Sequence, residues 1–83
     1  MSDESVALST SGGAVGDRVR ELRTRSERSQ AWLARQMHER GFRWHQPTVH
    51  RVEAGEQEAT FKEAVALADI FAVPVESFAR QAS

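Results

Sequence analysis

Apolar residues along this chain recur at helical spacing, and no stretch shows the strict alternation of a strand. Val15, Val19 and Leu22 follow a 3–4 spacing that predicts a first helix from Gly16 or Asp17 to about Ser26. Asp17 suits the positive start of that helix and Arg25 its negative end. Ser29 is a good N-cap for a second helix running to about Arg40, with Trp32 or Leu33, then Ala34 and Met37, on its inner face and Gly41 as its stop. After a loop Phe42-Arg43-Trp44-His45, the segment 46–53 predicts a short third helix, with Pro47 at its first position and Gly55 just past its end. Val49 and Val52 share one face of it, so Gln46, Thr48, His50 and Arg51 are expected to face outward. Thr60 with Glu63 forms a capping box for a fourth helix from Phe61 to about Phe71, expected to bury Phe61, Ala64, Val65, Ala68 and Phe71. Pro74 prevents its continuation, and Val75 to Arg80 can make a last short helix that presents Val75, Phe78 and Ala79. The expected fold is all-α: a compact bundle of about five short helices over 16–80, preceded by a flexible Ser/Gly-rich tail over 1–15.

The length of 83 residues suits one small domain. The absence of cysteine excludes disulfides and thiolate metal sites. No apolar run approaches a membrane span, and the opening Met-Ser-Asp-Glu-Ser lacks the basic-then-apolar order of a signal peptide. The net charge of −1 argues against a nucleic-acid partner, but its distribution reverses that argument. Nine arginines stand against four acids between Asp17 and Arg51, and six acids against two basic residues from Val52 onward. A ligand feels the local field over about 8–10 Å rather than the total. The acidic tail is a poor candidate for an arm wrapping DNA.

The chemistry points to recognition rather than catalysis. His38, His45 and His50 lack the paired spacing and acid partners of a metal site, so no metal and no cofactor are expected. No Ser or Thr is set beside a His and an acid, and Gly12-Gly13 is not a phosphate-cradling loop, so no enzyme is expected. The third helix has a dry back and a front of Gln, His and Arg, side chains that read base edges, and Arg51 can grip a guanine with two donors. A solvated helix Arg is the plain alternative. His50 suits a phosphate, a base or no contact, and Arg43 suits a phosphate or open solvent. Trp44 can stack on a backbone or pack down, and packing is the commoner use. Arg18, Arg20, Arg25 and Arg28 are expected as a mix of helix-surface pairs with Asp17, Glu21 and Glu27, with one or two of them meeting phosphates as well.

The ordered set Val19-x-x-Leu22-Arg23, Ser29-Gln30-x-x-Leu33-Ala34, Thr48-Val49-x-x-Val52-Glu53-x-Gly55, Ala64-x-x-Leu67-Ala68 and Val73-x-Val75 resembles the XRE family, the lambda-repressor-like (Cro/cI-type) helix-turn-helix proteins. The resemblance covers about residues 16–78. It implies a sequence-specific regulator of transcription, expected as a repressor, that binds double-stranded DNA with the third helix in the major groove. Gln46, Pro47 and Arg51 fall at base-reading positions, with His50 beside them. Gln30, Arg43 and Thr48 are expected at the DNA backbone, Gln30 also bracing the third helix. Arg23 and Glu53 match a partly buried salt bridge between the first and third helices. A homodimer on a partly palindromic operator is expected, with half-sites about 34 Å apart. Val75 and Phe78 are the candidate dimer contact, unless Phe78 merely closes the core. The setting implied is the bacterial or phage-infected cytoplasm, at the nucleoid.

Two departures from the family pattern stand out. The stretch from Ala34 to Gln46 is longer by about five residues, so the connection between the second and third helices is extended, with Phe42 and Trp44 expected to fill the added space. Glu56-Gln57-Glu58 places acids where relatives carry basic or neutral residues. The alternative reading is an antitoxin-like or adaptor module that keeps the fold and contacts protein, since fold alone does not fix function.

Overall fold

The computed structural model describes residues 15–79, so the tail expected over 1–15 lies outside the described residues except for Val15. Among those residues there are five helices and no strand: α1 over 15–25, α2 Gln30–Glu39, α3 Gln46–Glu53, α4 Phe61–Phe71 and α5 Glu76–Ala79. α1 ends without glycine. Glu27 takes the left-handed conformation at φ 58°, and the Arg28 amide reaches back to the Arg23 carbonyl at 3.0 Å. Ser29 caps α2 by accepting from the Trp32 amide at 3.0 Å. Leu33, not Trp32, takes the inner position of α2. Trp32 is half-buried, with Phe71 at 6.2 Å on one side and the Arg28 guanidinium 4.8 Å over its ring.

The connection over 40–45 is extended, as the spacing requires. Gly41, at φ 93°, turns the chain so that the Phe42 amide returns to the Met37 carbonyl. Phe42 packs against the core, and Trp44 is buried within it. The added residues therefore bring their own apolar cover, which lets α3 follow α2 without a short turn.

The core is built from Val19 and Leu22 of α1, Leu33 and Met37 of α2, Val49 and Val52 of α3, Leu67 of α4 and Phe78 of α5, closed by Trp44 and small alanines. Each such large side chain contributes about 1.5–3 kcal/mol by leaving water. Two expectations are corrected here. α4 turns Ala66, Leu67 and Ala68 inward and leaves Phe61 74% and Val65 44% exposed. Apolar residues surround this helix almost completely, so periodicity does not select its inner face. Phe78 is 2% exposed and lies in its own chain's core, so it cannot supply a dimer contact. Val75 is half-buried against that same core.

Candidate nucleic-acid interface

α3 is held by its dry side. Val49 and Val52 are buried completely or nearly so, and the helix is thereby locked with its opposite edge to solvent. Gln46, Pro47, His50 and Arg51 are all exposed on that edge. Thr48 is not. It is 4% exposed, and its hydroxyl accepts the His45 amide at 3.4 Å, a long bond that closes the first turn. The expectation that Thr48 faces outward to the DNA backbone is corrected. A threonine turns inward readily when its hydroxyl finds an open helix-start amide, and an isolated pattern of polar residues does not reveal this.

Behind the exposed edge runs a chain of polar contacts. Glu53, itself buried, accepts from Arg23 twice, Nε to Oε2 at 2.7 Å and Nη2 to Oε1 at 2.9 Å. Gln30 Nε2 donates to the same Oε1 at 3.0 Å, and Gln30 Oε1 accepts from Gln46 Nε2 at 3.2 Å. Arg23 also donates through Nη1 to the Arg28 carbonyl, and Arg20 donates to the Glu53 carbonyl at 3.0 Å. The Arg23 guanidinium is held above its usual pKa, chiefly by the hydrogen bond to Glu53; burial opposes this and the carboxylate's charge adds to it. It thus stays charged throughout the working range of the fold. The salt bridge expected between α1 and α3 is present, and it extends through Gln30 to the first residue of α3.

The two ends of α3 differ in what supports them. At its start, Ser29 serves the Trp32 amide, which leaves the Gln30 and Ala31 amides of α2 open beside Gln46, the arrangement that attracts a phosphate. At its end, Arg51 donates from Nε to Gln57 Oε1 at 3.0 Å, and the Arg51 carbonyl accepts the Glu56 amide at 2.8 Å. Nε is thereby occupied, while the terminal nitrogens of this exposed side chain form no hydrogen bond among the described residues. Arg43 is exposed on the connection. Glu56 and Glu58 are also exposed and form none of the ion pairs found among the described residues.

Sequence reasoning missed Gln57 as the partner of Arg51, because the loop after Gly55 has no periodicity from which to place it. It also assigned Arg20 and Arg28 to surface pairs, whereas Arg20 reaches Glu53 and Arg28 lies over Trp32. Arg18 and Arg25 do pair with Glu21. No cluster of metal-ligating side chains occurs among the described residues, and no described helix is long and apolar enough to cross a membrane.

Residues 14–81 match a family model described as a helix-turn-helix domain. No curated protein and no solved structure matches the chain.

Proposed function

The chain belongs to the helix-turn-helix domain family, a DNA-binding fold, and from that premise we propose that it is a sequence-specific regulator of transcription of the XRE type, acting as a repressor. α3 lies in the major groove. Gln46 and Arg51 are the principal readers, Gln46 of adenine through its amide and Arg51 of guanine through its two terminal nitrogens. Pro47 offers only apolar contact, as to a thymine methyl, and His50 adds a secondary contact. Gln30, the open amides at the start of α2 and Arg43 meet phosphates and set the register. Repression follows from occupancy, since a small domain seated on a promoter excludes what must bind there. One module supplies little affinity, so two copies are expected on a two-fold site in the bacterial or phage-infected cytoplasm.

The observation that supports this reading most is the Glu53–Gln30–Gln46 bridge. It ties the first residue of α3 to α2 and to its own last residue, while Gln46 stays exposed. A reading edge held in this way loses less freedom on binding than a loose one. An adaptor that contacts protein is the second reading, favoured by the exposed Phe61 and Val65.

Selection of bound duplexes from a random pool by the full chain tests the proposal. A two-fold motif is expected. Arg51→Ala should cost about 1–3 kcal/mol on that motif and relax the preference at one base. Arg43→Ala should weaken all sequences alike and flatten the salt slope by about one unit. A pool with no enriched sequence, and no duplex binding even at low salt, would leave the adaptor reading standing instead.

A further inference from the structure

Among the described residues, Phe61 is the largest apolar side chain left open to solvent, at 74% exposure. It stands at the first position of α4 as a ridge between two apolar hollows. On one side a hollow of about 560 Å³ is floored by Phe42, Val65 and Ala66, with Arg40, Lys62 and Asp69 at its rim. On the other a hollow of about 400 Å³ is lined by Val15, Ala64, Val75 and Phe78. A knob beside its own hole is the shape requirement of a two-fold contact, in which one patch meets itself.

The charges obey the same symmetry. Phe61, Val65 and Asp69 recur every fourth residue and lie along one stripe of α4, with Lys62 flanking its start. Two such helices laid antiparallel about Val65 put 61 opposite 69 and 62 opposite 68, so Lys62 of each copy stands one residue from Asp69 of the other, within reach of its long side chain. The Asp69 carboxylate is 72% exposed and gives one oxygen to Arg40 of its own chain. An exposed apolar stripe of Phe61 and Val65 with opposite charges toward its two ends has the composition of an interface core with its rim.

We propose that the Phe61–Val65 face of α4 is the surface on which two copies of this chain pair, each Phe61 entering the hollow beside the other's. This deepens the paired-copy part of the proposed function and rests on it, and it replaces the contact first expected at Val75 and Phe78. The face is built from α4 and the connection over 40–45, whereas the reading edge is built from α3.

The chain has no cysteine, so Val65→Cys places a lone thiol on the two-fold axis. Under mild oxidation it should form a covalent dimer far faster than Thr24→Cys, an exposed control on α1. Sedimentation equilibrium of the full chain should show a dimer that Phe61→Glu weakens about tenfold or more, with unchanged helicity and unchanged affinity for a half-site duplex. Lys62→Asp should weaken pairing too, and adding Asp69→Lys should restore it; this charge pair decides the matter if Phe61→Glu does not fold. A chain that is monomeric both free and on DNA overturns the proposal. So does pairing that survives all these changes, or equal oxidation rates at the two thiols. Pairing through this face without any DNA affinity would keep the interface and sink the DNA-reading function, so the two failures are distinct.

Discussion

Trp44 donates its indole N–H to Glu63 Oε2 at 2.8 Å, joining the connection that precedes α3 to the first turn of α4. The other oxygen of the same carboxylate accepts the Thr60 amide at 2.8 Å, and the Glu63 amide donates to Thr60 Oγ1 at 3.1 Å. One carboxylate thus caps a helix and satisfies a buried indole. Glu63→Ala should cost about 2 kcal/mol, since two hydrogen bonds are lost and the Trp44 donor is left buried. Trp44→Phe should cost less and, combined with Glu63→Ala, should show a coupling of about 1 kcal/mol in a denaturation cycle. Additive losses would mean that the indole contact contributes nothing.

Glu53→Ala tests the polar brace. The Glu53 side chain is 3% exposed and that of Arg23 16%, so removing the carboxylate strands a nearly buried cation and frees Gln30. The expected loss is about 3 kcal/mol in urea or thermal unfolding, the lower end for a buried pair because Arg23 keeps the Arg28 carbonyl. Glu53→Gln should cost less, because an amide oxygen can still accept from Gln30. A loss under about 1 kcal/mol for Glu53→Ala would place the pair with ordinary surface bridges.

Thr48→Val separates a structural role from a DNA-backbone role. The hydroxyl lies inside and accepts the His45 amide, so valine should cost about 1 kcal/mol of stability. The salt slope of DNA binding should not change, because no phosphate contact is removed. A slope lowered by about one unit would return Thr48 to the DNA backbone.

What was legible in the chain was whatever is encoded locally. Ser29, Pro47, Gly55 and the Thr60–Glu63 pair each act within a few residues, and the limits of α2, α3 and α4 follow from them. The outward placing of Gln46, His50 and Arg51 was legible because Val49 and Val52 leave only one inner face. The inner face of α4 was not, because Phe61, Ala64, Val65, Leu67, Ile70 and Phe71 surround the helix and only packing against the rest of the core decides among them. The burial of Phe78 depends on where a very short helix docks, which no local pattern carries. The Gln57 contact to Arg51 crosses a loop, and the Trp44 contact to Glu63 spans elements distant in sequence, so neither leaves a periodic trace.

The close approach of α1 to α3 yields the last prediction, a contrast between two glycines. A Cβ on Gly16 would overlap the Val52 carbonyl oxygen and crowd Glu53 Cα at 3.1 Å. Gly16 lies within α1, where alanine would ordinarily gain about 1 kcal/mol in helix propensity. The obstacle is backbone and cannot swing aside as a side chain would, so overpacking of about 1–3 kcal/mol should win and Gly16→Ala should destabilise. Gly41 has open space around it but a φ of 93°, so Gly41→Ala should cost about 1–2 kcal/mol through backbone strain alone. The two differ in what they disturb. Gly16 presses on the last turn of α3, where Val52 and Glu53 anchor the reading edge, so DNA affinity should fall along with stability. Gly41→Ala should lower the unfolding midpoint and leave affinity at low temperature intact. A Gly16→Ala protein as stable as the parent would show that α1 can slide away from α3, and the rigid backing assigned to Gln46 and Arg51 would then be wrong.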